Sequence, residues 1–227
     1  MPLTIGSELP KQHAHSVRIN RMDTSSRTPR RTPTRLRLYA AAGTLIAEQG
    51  FSSTTVEEIA ARAGVAKGTV YYNFTDKTEL FEELLRYGVE QLAAELRQAA
   101  EGATVAGAGR VAALERMLRA GLLFADRSPA VVQLYVAEQW RTNRPWQATL
   151  HDVRRELLAV FEAVLRDGLA EGEVDQEVDV PLAAANLLGT LLVTALDWRA
   201  FQPERPLRDV HSALVRLLRG SVGGHAR

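Results

Sequence analysis

Lys67, Thr69, Tyr71, Tyr72 and Asn73 place a cation, hydroxyls and a carboxamide close together in the chain, with Gly68 among them. Such groups can hydrogen-bond to base edges and pair with phosphate, provided that a narrow rigid element presents them to a duplex groove. Other chemistry is not signalled. There is no Gly-x-Ser-x-Gly elbow, Walker loop or His-Glu-x-x-His pair. The chain has no Cys, so disulfides, thiolate zinc sites and thiol catalysis are excluded. His13, His15, His151, His211 and His225 are scattered. A zinc site from His151 with Asp152 or Glu138 is outweighed by the plainer reading of His151 as a helix-surface residue. No metal, no cofactor and no enzymatic activity are expected.

The elements that must position these groups are two short helices and a tight turn. Thr54 with Glu57 has capping-box spacing. Val56, Ile59, Ala60 and Ala63 recur at helical intervals and form one apolar face. Gly64 is suited to end that helix, because a residue without Cβ enters the left-handed region at little cost. A second helix follows over about Ala66 to Asn73. Val70 and Phe74, four apart, pack inward and leave the polar residues outside.

The stretch Thr54-Thr55-Val56, Ile59-Ala60, Ala63-Gly64-Val65, Lys67-Gly68-Thr69, Tyr71-Tyr72-Asn73-Phe74, with Lys77-Glu79-Leu80 beyond it, resembles the helix-turn-helix of the TetR family of transcriptional regulators. The likeness covers roughly Thr32 to Leu92, and Ala66 departs from the capping residue often found there. It implies a DNA-binding regulator in which Lys67, Gly68, Thr69, Tyr71, Tyr72 and Asn73 meet the groove. Thr54, Thr55 and Lys77 would bind phosphates, as would Arg35 at the exposed start of the first helix.

Composition sets the frame. The 227 residues are 46% hydrophobic, enough for a substantial core. The formal charge is only +1, but residues 1–35 carry seven Lys/Arg against Glu8 and Asp23. A basic arm beside a groove-reading motif implies phosphate contact. Arg outnumbers Lys by 25 to 3, which suggests a GC-rich genome. No secretory signal is visible, and the longest apolar stretch, Leu182 to Leu196, falls short of the ~20 residues that span a bilayer. A bacterial cytoplasmic protein on the nucleoid, without a membrane partner, is the expectation.

Capping and periodicity predict an all-α chain of about nine helices, with three in the reader and six in the body. Residues 1–31 read as a disordered basic arm, 32–92 as the helix-turn-helix domain with its motif at 55–74, 93–220 as a ligand-binding and dimerisation domain, and 221–227 as a disordered tail. Met22 is a candidate start codon. Asp76 with Glu79 caps a long fourth helix to about Ala100, the lever between the two domains, and a Gly/Ala loop follows from Glu101 to Gly109. Met117, Phe124, Tyr135, Glu138, Gln139, Trp140, Trp146, Phe161 and Trp198 are candidates for an apolar effector pocket, against the alternative of ordinary core packing. The helix from Leu182 to Trp198 is apolar nearly all round and demands burial on more than one side. Leu182, Ala185, Leu188, Gly189, Leu192 and Leu196, with Val210, Leu214 and Leu217 of the last helix, would form a four-helix dimer interface. The reading is a homodimeric repressor on a pseudo-palindromic double-stranded operator, released by an unknown small molecule. The alternatives are an activator or architectural DNA binder without effector, and a helical small-molecule or metal sensor with a vestigial reader.

Overall fold

The computed structural model describes residues 32–222; the basic arm at 1–31 and the end of the tail lie outside the described residues. Nine helices and no strand occur among them. The reader comes first: α1 (Pro33–Gln49) and the two short helices α2 (Val56–Ala63) and α3 (Lys67–Asn73). Thr32 caps α1 by accepting from the Arg35 amide, and Pro33 occupies its first turn. The capping box of α2 sits one residue later than its expected place. Thr55 accepts from the Glu58 amide at 3.2 Å and the Glu58 carboxylate accepts from the Thr55 amide at 2.8 Å. Thr54 is instead buried, donating to the Gly50 carbonyl. Gly64 ends α2 in the left-handed conformation, at φ +66°. Ala66 gives α3 no side-chain cap, so packing must hold that helix; Val70 and Phe74 are its buried anchors.

The body follows as α4 (Lys77–Val105), α5 (Arg110–Arg127), α6 (Pro129–Gln139), α7 (Gln147–Glu171), α8 (Val180–Phe201) and α9 (Leu207–Val222). Asp76 caps α4 by accepting from the Glu79 amide. That helix is 29 residues long and consumes most of the expected loop at 101–109, because Ala103 is fully buried while Gly102 faces open space. α4 lies against α5 and α7, and its apolar row Leu80, Phe81, Leu84, Leu85, Leu92 and Leu96 joins the helical core of the reader to that of the body. α6 crosses α1 and α4 closely. At the crossing a Cβ on Gly88 would collide with Val131, so glycine is what lets the two helices approach. Arg144-Pro145 and Asn143, with φ +58°, separate α6 from α7. Asp179 caps α8, accepting from the Leu182 amide at 3.0 Å.

α8 is the anomaly. Its mean hydropathy reaches 1.6, yet only 39% of its most apolar window is buried. Ala184, Leu187, Leu188, Leu191, Leu192 and Ala195 face the core, while Leu182 and Val193 remain more than 60% exposed. On α9, Val210, Leu214 and Leu218 face in and Leu217 faces out.

Candidate nucleic-acid interface

α3 buries only Val70, and the groove-reading candidates occupy the rest of its surface. Tyr72 is 90% exposed and Tyr71 half exposed. Thr69 is partly covered, and Gly68 has nothing within 4 Å of where a Cβ would stand. Asn73 donates its amide to the Thr69 carbonyl at 2.8 Å, which satisfies the end of its own helix. Lys67 is exposed but ion-paired with Glu57 of α2, and its amine lies 5.8 Å from the Tyr71 ring centre. That pairing holds the Glu57 carboxyl below and the Lys67 ammonium above their ordinary values. Thr55 is exposed beside α3 as the cap of α2, whereas Thr54, almost fully buried, presents no hydroxyl to solvent.

Two expected phosphate contacts turn inward. Arg35 pairs with Glu83 of α4, and its guanidinium lies 4.4 Å over the Phe74 ring. Tyr39 donates to the same carboxylate at 2.6 Å, and burial together with Glu83 pushes its phenol up to about 12. Lys77 donates to the Phe51 and Thr54 carbonyls, each at 2.7 Å, with its amine 4.2 Å from the centre of the Phe51 ring. Burial holds its pKa below the ordinary lysine value. The local sequence carries no sign of this. Arg35 and Glu83 are 48 residues apart, and the Lys77 partners are backbone atoms of the loop between α1 and α2.

The expected pocket residues do not converge. Phe124 and Tyr135 line a narrow apolar cavity with Leu92, Val132, Leu157 and Leu192, where α4, α5, α6, α7 and α8 meet. The cavity is only about 10 Å³, and the Tyr135 hydroxyl, buried nearby, makes no hydrogen bond. Its pKa is raised by burial, an effect that nearby Arg154 opposes without making a hydrogen bond of good geometry. Met117 and Phe161 are fully buried in α5 and α7. Trp140 is 81% exposed, and Gln139 beside it is partly covered. Trp198 donates to the Arg205 carbonyl at 2.8 Å, bracing the link to α9. Glu138 and Trp146 belong to the junction with the reader: Trp146 is 1% exposed and packs edge-on against Phe51 and at a tilt against Phe81, at ring separations of 4.4 and 4.3 Å.

Of the expected interface residues, Leu182, Gly189 and Leu217 are exposed, and Ala185 and Leu196 are partly so. Leu188, Leu192, Val210 and Leu214 are spent inside the same chain. Val193 was not among the expected residues. Its place four residues after Gly189 and three before Leu196 is the helical signal that would have included it.

A family model for bacterial regulatory proteins of the tetR family matches residues 38–84. The chain is 30% identical over 177 residues to the HTH-type transcriptional repressor KstR2 of Rhodococcus jostii (strain RHA1), an alignment that covers 78% of this chain and 82% of the relative. It is 26% identical over 190 residues to the fatty acid metabolism regulator protein of Bacillus subtilis (strain 168), covering 82% and 94%. A crystal structure of the transcriptional regulator FadR from Bacillus subtilis in complex with stearoyl-CoA has the same fold, with a TM-score of 0.71 at 22% identity over 81% of this chain and 96% of that one. The chain belongs to the TetR family of bacterial regulatory proteins, DNA-binding transcriptional regulators that respond to a small molecule.

Proposed function

We propose that the chain is a dimeric repressor which releases its operator on binding a long-chain acyl-CoA. The carrying observation is the cavity at Tyr135. It is a seam of only about 10 Å³ lined by apolar atoms, and the Tyr135 side chain that helps to line it ends in a buried hydroxyl. A flexible acyl chain can part such a seam by rotamer changes, and the phenol can donate to a thioester carbonyl. The relative from Bacillus subtilis, a fatty acid metabolism regulator, and the FadR complex with stearoyl-CoA support this ligand class.

Dimerisation rests on the exposed apolar face of α8. Leu182, Gly189 and Val193 leave an apolar strip on α8 that a second copy would cover by two-fold symmetry, with α8 and α9 of both copies as a four-helix bundle. The paired α3 helices would then meet successive major grooves of a pseudo-palindrome, on cytoplasmic DNA, with Tyr71, Tyr72, Thr69 and Lys67 toward the bases.

The test combines gel shift on the chain's own upstream region with thermal unfolding. Stearoyl-CoA should release the DNA and stabilise the free protein, by ~2.7 kcal/mol at a hundredfold excess over Kd. Isovaleryl-CoA should act weakly and free CoA not at all. Equal action by free CoA, or none by stearoyl-CoA, rejects the acyl-CoA reading.

A further inference from the structure

The corner between α6 and α7 touches the reader directly. Trp146 opens α7, and its ring packs against both Phe51, in the loop between α1 and α2, and Phe81 on α4, which also touch each other at 5.2 Å. Phe51 is also the ring on which Lys77 sits, and it contributes one of the two carbonyls that Lys77 holds. Four side chains thus join the reader loop, the start of α4 and the body at one point.

The Trp146 ring is anchored from behind by α6. The indole N–H of Trp146 donates to Glu138 at 3.3 Å. Glu138 is 3% exposed, and its charge is countered by Arg141 at 3.4 Å and Arg144 at 3.5 Å. A carboxylate this deeply buried is held in place by its partners, because away from water nothing else compensates its charge. One turn after Trp146, Arg86 of α4 donates to the buried Thr149 at 2.7 Å, fixing the other side of the corner. Glu138 follows Tyr135 by three residues on α6, so the helix that carries the unpartnered phenol also carries the anchor of the Trp146 ring.

We propose that Trp146 is the positioning residue that couples the body to the DNA reader, with Glu138 as its tether. This rests on the reading that a ligand in the body releases the operator. A ligand that parts the seam at Tyr135 displaces α6. Glu138 moves with it, Trp146 shifts against Phe51, and the loop between α1 and α2 is re-aimed without any ligand contact to the reader. α6 moves as a unit because it is short, eleven residues, and bounded by Pro129 and by the break at residues 140–145. The coupling is reciprocal, so operator binding must perturb Trp146 in turn.

The experiment uses full-length protein carrying 5-fluorotryptophan. Its three fluorine resonances are assigned with Trp140→Phe and Trp198→Phe variants. Operator duplex is added first, then stearoyl-CoA. The Trp146 resonance should shift with operator and shift back on release. In parallel, Trp146→Phe keeps an aromatic ring but loses the tethered N–H. It should bind operator within about threefold of wild type and stearoyl-CoA with unchanged Kd, while the ligand-induced loss of operator affinity shrinks at least fivefold, a sizeable part of the 5–150-fold range of such couplings. Glu138→Gln keeps an acceptor but discards the charge, and should shrink the same ratio should Trp146→Phe fail to fold. A merely structural Trp146 would weaken both affinities together and leave their coupling intact. A Trp146 resonance indifferent to operator overturns the proposal, as does a wild-type release ratio in both variants. Should stearoyl-CoA neither bind nor release the wild type, the ligand reading falls alone, and the operator-induced shift decides the role of Trp146.

Discussion

Lys77→Met separates two roles for a lysine that a sequence reading assigns to DNA. The substitution keeps most of the aliphatic stem and removes the ammonium. Two charge-assisted hydrogen bonds, to the Phe51 and Thr54 carbonyls at 2.7 Å, would be lost together with the contact over the Phe51 ring. Hydrogen bonds to a charged group are each worth ~1.5–3 kcal/mol net, and a cation over a ring adds ~0.5–1. Lys77 is partly covered rather than fully buried, so water recovers part of this and ~2–4 kcal/mol is the expected loss. Urea unfolding followed by circular dichroism should read it as a lowered midpoint. Operator affinity measured across a salt series should keep its slope, because an amine that holds two carbonyls neutralises no phosphate. A slope reduced by ~0.9, the amount of one lost phosphate contact, with an unchanged unfolding midpoint would refute the reasoning and return Lys77 to the DNA backbone.

Three further outcomes follow from the packing. Val193→Asp should give a folded monomer by sedimentation, whereas Leu192→Asp should lower the unfolding temperature itself, because only Val193 faces outward. Gly88→Ala should destabilise through the collision with Val131, and Val131→Ala should restore most of the loss in the double variant, read as a coupling in thermal unfolding. Tyr39 has a phenol raised to about 12 in the folded chain against the ordinary 10.0. Between those values the unfolded chain has lost a proton that the folded chain keeps, so stability falls as pH rises from about 10 to 12; Tyr39→Phe should remove that part of the alkaline slope in a pH series of urea midpoints.

What local chemistry decides was legible in the sequence. Thr32 with Pro33, Asp76, Gly64 and Asp179 begin and end helices by capping rules that act over four residues, and the helix order follows from them. Val70 and Phe74 point inward because their spacing leaves one face of a short helix. The readings that slipped depend on partners far along the chain. Thr54 and Thr55 both have a carboxylate three residues on, and only burial against Gly50 decides which of them caps α2. Arg35 and Lys77 have long flexible stems whose ends go wherever an acceptor lies, and Glu83 and the Phe51 carbonyl are visible only in three dimensions. Trp146 looked like any aromatic of a ligand pocket, since nothing in its neighbours announces contact with residue 51. In α8, apolar residues nearly all round erase the periodicity that would tell the core row at Leu188 and Leu192 from the outward row at Leu182 and Val193.

The short α3 explains why control can be exerted at a distance from the bases. Seven residues without a side-chain cap cannot form a stable helix alone, since helices of that length are marginal even in favourable sequences. Its geometry is therefore set by what Val70 and Phe74 pack against. Phe74 meets Tyr39, at a ring separation of 5.8 Å, and the Arg35 guanidinium, and both of those side chains are held by Glu83 of α4. The loop leading into α2 is held by Lys77 of the same helix. Both supports of the reading helix thus end on one turn and a half of α4, between residues 77 and 83. A small displacement there would reposition α3, and with it Tyr71, Tyr72 and Lys67, without touching those side chains directly. Variants at Glu83 should accordingly weaken all operator sequences together, whereas variants at Tyr72 should change which sequence is preferred, and selection of bound fragments from a random pool would tell the two apart.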